Sequence, residues 1–327
     1  MIRITDNNRG IALVMIMGMV LILEVICLSL SQVRSSGTTI AHNRILQLKA
    51  LYCAEAGIAH ELWRIQEDSN WRFAPADHTL GDGSYTISFS ENTAQEKIII
   101  TCNARVKGVT SSARRTVRML TIQPHHTAGG VEDDEDTYIK EGKPDDAQDY
   151  KEELLLDTEN SGGTYRCRTL VKFALHKYPL PQDAVIVSSL FSMYLVKPFF
   201  LLDFIVFGII NDSYRIHKIT QEWRAHETTW NHRNKDEDLK WESPGGDFDP
   251  AYEDSRNFKN RGWQSWRVTS MTRSWLNDPD KNYGFIIEAT GRPNNNECKF
   301  ISSDEEDGDS YFKVPKLTIY YIDTRSP

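Results

Sequence analysis

No two cysteines in this chain stand two residues apart, so the spacing of a zinc or thioredoxin-type site is missing. Also missing are a GxSxG elbow, an HExxH helix and a glycine-rich phosphate loop. Glu222 and Glu227 could pair as glycosidase carboxylates, but two acids beside a strand read as solvated surface. The chain is therefore expected not to be an enzyme. Proline is absent from residues 40–66, and Gly57 is the one glycine there, so nothing in that stretch breaks a helix. Basic charge is scarce in the second half. Residues 124–327 carry 25 Lys and Arg against 36 Asp and Glu, a net −11, whereas residues 1–123 carry 13 against 10, a net +3. That asymmetry excludes nucleic acid and an anionic membrane surface as partners of the C-terminal half. An acidic polysaccharide would need a bridging divalent cation.

Long apolar runs are also few. Residues 11–30 form a run of 20, about 30 Å as a helix and enough to cross a bilayer. Arg3 and Arg9 precede it, which holds the N-terminus in the cytoplasm. A second run, "PFFLLDFIVFGII" (198–210), is too short to span, is interrupted by Asp203, and reads as a buried strand or hairpin. Ser29-Leu30-Ser31 offers a weak signal-peptidase site, but the sequence beyond it argues for retention. Ala41, Ile45, Leu48, Tyr52, Ala56, Ala59 and Trp63 recur at helical spacing, so the apolar run is expected to continue as an amphipathic helix to about residue 67. Glu24 lies inside the run, where a carboxylate costs about 3 kcal/mol. It reads either as an assembly residue paired with a neighbouring subunit or as a protonated acid tolerated in a strong anchor.

Three β-rich segments follow, "GDGSYTISFS" (81–90), "EKIIITCNARV" (96–106) and "SARRTVRMLTI" (112–122). They predict an antiparallel meander, too small to stand alone, packed on the apolar stripe of the helix. The charged leader ending in Arg9-Gly10, the helix opening "IALVMIMGMVLIL" and the later "LKALYCAEAGIAHELWRI" together resemble the N-terminal domain of PilX-type minor pilins, members of the type IV prepilins. The "AEAG" of residues 54–57 is the most telling part of the match, which covers residues 1 to about 123. The resemblance implies leader cleavage after Gly10, N-methylation of Ile11, and a retained helix that anchors and packs in a pilus or pseudopilus. The chain departs from major pilins in starting its mature form with Ile11 and in placing Met15, not Glu, at the fifth position. Some tip-associated minor members share that lack.

"QPHHTAGGVEDDEDTYI" (123–139) has linker composition, and its paired His125 and His126 read as solvated. Beyond it, strand-like runs at 152–157, 167–175, 184–196, 212–220, 282–289 and 313–322, with one short helix at "TRSWLN", predict an all-β sandwich. "RTLVKFAL", "EWRAHETTW", "WESPGGDFD", "GWQSWRVTSMTRSWLNDPDKNYGFII" and "VPKLTIYY" occur in the order that resembles a DNRLRE domain, a jelly roll related to carbohydrate-binding modules. Ala225 and Arg267 stand where that pattern has acids.

The expected organisation is a leader (1–10), a pilin-like stem (11–123), a linker (124–135) and a jelly-roll sandwich (136–322). The fold class is thus multidomain, α+β and then all-β. Trp241, Trp263 and Trp266 lie near an Asp-, Asn- and Arg-rich loop and are candidate ligand-binding platforms, while Trp223, Trp230 and Trp275 read as core. Asp247 and Asp249 in "GGDFDP" are candidate metal ligands for Ca²⁺, and no other cofactor is expected. "SSDEEDGDS" (302–310) fails as an EF-hand, because aligning Gly308 at loop position six puts Val314 where the bidentate Glu belongs. The cysteine count fits two disulfides, Cys53–Cys102 and Cys167–Cys298, and fits four buried thiols nearly as well. The expected protein is a single-pass inner-membrane chain with an exported acidic head. It would present that head for adhesion at the cell surface or a filament tip, with other pilins, assembly machinery and a glycan or surface protein as partners. The alternative is a structural membrane-anchored envelope protein that enters no filament.

Overall fold

The computed structural model describes residues 8–67, 77–92, 95–123, 134–148, 151–158, 165–197, 213–257, 260–291, 298–305 and 310–324. Residues 124–133 of the expected linker (124–135), its histidine pair and the run at 198–210 lie outside the described residues. One long apolar N-terminal helix is followed by a large, mostly antiparallel β region. The chain divides into two compact units, one of residues 1–60, 75–88 and 100–115, the other of residues 61–74, 89–99 and 116–327.

Helix α1 (Asn8–Glu67) runs unbroken for 60 residues, about 90 Å at 1.5 Å per residue. Its apolar window has a mean hydropathy of 2.7 and none of it is buried, so by length and composition the helix can cross a membrane. Large apolar side chains from Leu13 to Leu30 are 51–70% exposed.

Past the apolar run the helix acquires a buried face, and it is not the expected one. Leu46, Ala50, Cys53, Ala54 and Ile58 are buried, whereas Ile45, Leu48 and Tyr52 of the predicted stripe are exposed, Tyr52 by 65%. Size explains the difference. Strands β2 (Gly83–Asn92) and β3 (Lys97–Val106) approach the helix over Ala50, Ala54 and Gly57, where bulky side chains would hold them off. A Cβ at Gly57 would lie 2.4 Å from the Cys102 sulfur and 2.8 Å from the Tyr85 ring. Tyr85, Ile87, Ile100, Cys102, Ala104 and Val106 are the buried strand residues of this unit. The meander also has a fourth strand that sequence reading did not foresee, β1 (Asp77–Leu80), paired antiparallel with the start of β2 through Asp77↔Thr86 to Leu80↔Gly83. Strand β4 (Val109–Ile122) begins here and ends in the second unit.

In the second unit two sheets share one core. The first has the order β12 (Asp254–Arg256), β9 (Ser213–Lys218), β14 (Phe285–Thr290), β7 (Cys167–Lys172), β5 (Glu135–Lys140). The second is organised about β8 (Ala184–Lys197), which pairs with β16 (Lys316–Asp323), β13 (Gly262–Arg267) and β15 (Cys298–Ile301). β15 continues to β6 (Glu153–Leu156), and β16 pairs with the end of β4 from Leu317↔Ile122 to Tyr321↔Arg118. A separate hairpin is made by β10 (His232–Asn234) and β11 (Leu239–Lys240). Val171, Ile216, Phe285 and Ile287 of the first sheet meet Phe191, Met193, Trp266 and Phe300 of the second in one hydrophobic cluster. Period-two alternation sends Leu170 and Ile286 to the opposite face. There they form a second cluster with Trp223, Trp230 and Trp241. Helix α2 (Thr269–Asn277) supplies Trp275 to the main core, and the Glu253 carboxylate accepts from the backbone N–H groups of Ser270 (2.5 Å) and Met271 (2.8 Å) at its start.

Gly57→Val is expected to destabilise the first unit by about 1–3 kcal/mol through overpacking. Gly37→Ala, at a helical position with nothing within 4 Å of the added Cβ, should instead gain up to about 1 kcal/mol from helix propensity. Urea denaturation of the detergent-extracted chain, read by circular dichroism, separates the two.

Candidate functional site

The three candidate tryptophans do not converge. Trp266 is fully buried and donates its indole N–H to the Tyr214 carbonyl at 2.9 Å. Trp241 is 4% exposed and donates to the Thr229 carbonyl at 3.0 Å. Both are core residues with satisfied polar atoms, and neither has a face to offer a ligand. Trp263 is different, at 37% exposed. Trp223, Trp230 and Trp275 are buried, as the sequence suggested.

Trp263 stands on the outer face of β13, directly across from Tyr194 of β8, and the two rings meet edge to face at 5.6 Å and 88°. The next outward pair along the same strands is Ser265 and Ser192, whose hydroxyls lie 2.8 Å apart. β16 adds Lys316, whose ammonium stands 3.7 Å from the Trp263 ring centroid. Lys313 places its own 5.4 Å from that of Tyr194, and Phe312 beside it is 72% exposed. Burial draws the Lys316 pKa below that of an ordinary lysine. The cluster is thus a half-exposed aromatic pair carrying two cations and a hydroxyl pair. Such a surface can stack on an apolar ring face and donate to oxygen acceptors. Tyr194, Lys313 and Lys316 were not singled out from the sequence. The alternation in "SMYLV", which sends Met193 and Leu195 inward, was the available signal for Tyr194.

Asp247 and Asp249 hold turns. The Asp247 carboxylate accepts from the backbone N–H of Glu242 (2.7 Å) and of Ser243 (2.9 Å), and Asp249 accepts from that of Ala251 at 2.9 Å. Among the described residues no group of three or more His, Cys, Asp or Glu is arranged to hold a metal ion. Gly10 and Ile11 lie in the first turns of α1, and Glu24 projects from its exposed surface beside Val20, Leu23 and Cys27. Cys27 is exposed, and Cys53, Cys102, Cys167 and Cys298 are buried. Arg267, where the resembled motif has an acid, donates from its guanidinium to the Gln66 carbonyl at 2.8 Å, and its backbone N–H donates to Asp254 at 2.7 Å. A cation on the last carbonyls of a helix is favourable there, because those groups lack intrahelical partners.

A polar network lies beside the second cluster. Arg168 donates to Glu288 at 2.9 Å and to the Gly245 carbonyl at 2.6 Å, while stacking between Trp230 and Phe248. His217 stands 3.6 Å from the other Glu288 oxygen. Burial pushes the Glu288 carboxyl up, but nearby His217 and the charges of Arg168 and Arg215 outweigh it and leave the pKa lowered. The unit also has an open cleft of about 610 Å³, with Leu180, Pro181 and Leu276 in its wall and Arg273 at its edge.

No family model and no curated protein matches the chain.

Two outcomes are expected. Trp266→Ala should cost about 3–5 kcal/mol, whereas Trp263→Ala should cost less than about 1 kcal/mol, as measured by denaturant unfolding. A carboxylate with a lowered folded pKa stabilises above its unfolded pKa of about 4.3, and the contribution is lost as pH falls through the lower folded value. Glu288→Gln should therefore flatten the loss of stability below about pH 4.5, read from unfolding midpoints across an acid pH series.

Proposed function

We propose that the chain is a minor-pilin-like envelope protein. On this reading prepilin peptidase clips the leader after Gly10, and α1 is retained as anchor and assembly helix. The β-sandwich, a jelly roll of the DNRLRE kind, is the exported head that binds a glycan or a surface protein. The observation that carries the reading is the second face of α1. Beyond the membrane-length run, Ile45, Leu48 and Tyr52 remain 46–65% exposed although the opposite face is packed against strands. An apolar stripe on a helix outside the bilayer seeks another apolar surface, and neighbouring helices in a filament would supply one. Glu24, on the same helix, would find its partner in such a neighbour. The Trp263–Tyr194 pair, with Lys313 and Lys316, supports ligand binding by the head.

A second reading, a structural single-pass envelope protein, is favoured by the burial of Trp241 and Trp266, which removes two of the three candidate platforms.

The test is an intact-mass and N-terminal analysis of the membrane-extracted protein, made with and without prepilin peptidase. A peptidase-dependent N-methylated start at Ile11 is the expected result. An uncut Met1 would leave the structural reading. For the head, Trp263→Ala should remove at least tenfold of any glycan-array or cell-surface binding while unfolding at nearly the same denaturant concentration. Equal binding by the variant would move the ligand site elsewhere.

A further inference from the structure

We infer that the head binds a partner protein through an extended acidic segment of that partner, which adds as a further strand along the open edge of β13 beside Trp263. The inference deepens the ligand-binding role proposed for the head and rests on it. It follows from the way the backbone of β13 faces. In an antiparallel strand the N–H and C=O of one residue point to the same edge, and successive residues alternate. Ser189 of β8 points both groups to the β13 side, where they meet Val268 and Thr269. Phe191, Met193 and Leu195 share that direction, so their partners Trp266, Gln264 and Gly262 face β8. Trp263, Ser265 and Arg267 therefore turn their backbone groups the other way. The Arg267 N–H bears this parity out, because it donates to the Asp254 carboxylate. Among the described residues, none hydrogen-bonds in the same way to the backbone of Trp263 or Ser265. β13 pairs with β8 alone. Two N–H and two C=O groups thus stand open at an edge whose Trp263 is 37% exposed, and such a row is a template for another chain.

Charge selects the occupant. Lys316 and Lys313 stand 3.7 and 5.4 Å from the Trp263 and Tyr194 ring centroids. Neither forms an ion pair among the described residues, although acids outnumber bases by 36 to 25 in residues 124–327. Burial lowers the Lys316 pKa, and no neighbouring acid offsets it. A strand added beside β13 lies about 4.8 Å beyond it, so a Glu or Asp on its outer face reaches the ammonium that covers the Trp263 ring. A glycan would use the ring and the lysines, but its hydroxyls do not follow the backbone repeat of a strand. A peptide supplies alternating N–H and C=O groups at the spacing that Trp263 and Ser265 present.

The test uses the full detergent-extracted chain and a fluorescein-labelled, end-blocked peptide of alternating Glu and Thr, with binding read by fluorescence anisotropy. Ser265→Ala removes only the hydroxyl that meets Ser192. Ser265→Pro also removes the outward N–H, while the strand keeps its pairing with β8, as an edge proline allows. The peptide is expected to bind the wild type and Ser265→Ala alike, and to bind Ser265→Pro about tenfold more weakly, the loss of one edge hydrogen bond. Lys316→Gln should weaken binding and flatten its dependence on salt. A peptide of alternating Lys and Thr should not bind. Hydrogen exchange of the wild type, which needs no variant to fold, should show the Trp263 and Ser265 amides protected when the Glu–Thr peptide is added. Where Ser265→Pro does not fold, that exchange decides. Absence of Glu–Thr peptide binding, equal binding by the two folded Ser265 variants, or unchanged exchange at Trp263 and Ser265 would overturn the inference. An oligogalacturonate that binds where the peptide does not would give the platform to an acidic glycan, overturning the strand docking while keeping the head a ligand binder. None of these readouts depends on leader cleavage, so a failure here is separate from a failure of the pilin reading.

Discussion

Every backbone amide buried in a sheet needs a partner, and β8 must meet that demand along both of its edges for fourteen residues. β16 serves one edge from Ala184 to Ser192, β13 serves the other from Leu190 to Leu195, and β15 takes over at the far end. A gap remains at Ser189, which is fully buried, just before β13 begins its pairing. The chain closes it with the residues that open α2. Val268 donates its N–H to the Ser189 carbonyl, and the Thr269 hydroxyl accepts from the Ser189 N–H. The position of α2 is therefore set by a hydrogen-bonding need of β8. Glu253, which caps α2, and Trp275, which α2 drives into the core, follow from that position.

The same strand decides which surface is available for binding. Phe191, Met193 and Leu195 fill the inner face completely, so chemistry on this sheet has only the outer face, where Ser192 and Tyr194 point. β13 repeats the arrangement, with Trp266 in and Trp263 and Ser265 out. Trp263 and Trp266 are three residues apart, and period-two geometry puts them on opposite faces. They could never have formed one platform on a strand. On the outer face of the first sheet, Trp241 is sealed by the layer that also holds Trp223 and Trp230.

Much of the fold was readable before the coordinates. A run of twenty mostly apolar residues, with Glu24 inside it, gave the start of α1, alternation in the runs after Gly81 gave the meander, and the apolar-rich stretch at 184–196 gave β8. What was misread turns on packing rather than on hydrophobicity. The most apolar stripe of α1, with Leu48 and Tyr52, was expected to face the strands. A sheet that comes within contact of a helix selects for small side chains instead, and Ala50, Ala54 and Gly57 are what it found. β13 and β15 were not delimited, because "GWQSWR" and "CKFI" mix polar and aromatic residues too briefly for periodicity to speak. The Trp263 platform combines residues from β8, β13 and β16 with the turn before β16, a juxtaposition that only the pairing of the strands creates.

The chemistry of that platform depends on how Lys316 behaves. Its ammonium, 3.7 Å from the Trp263 centroid, covers one face of the ring. A planar or sugar-like ligand must then stack on the remaining exposed surface or take the place of the lysine. Burial lowers the Lys316 pKa, which means that the charged form loses hydration in its resting position. Swinging the ammonium toward solvent recovers that hydration, and the cation–π attraction given up is about 0.5–1 kcal/mol at an exposed site. The two changes oppose one another. A ligand that uncovered Trp263 would also free a cation to donate to its oxygens, with Lys313 5.4 Å from the Tyr194 centroid beside it. In a C-terminal half (residues 124–327) with net charge −11, two lysines set over aromatic rings thus make one small region in which stacking and donation could act on the same ligand.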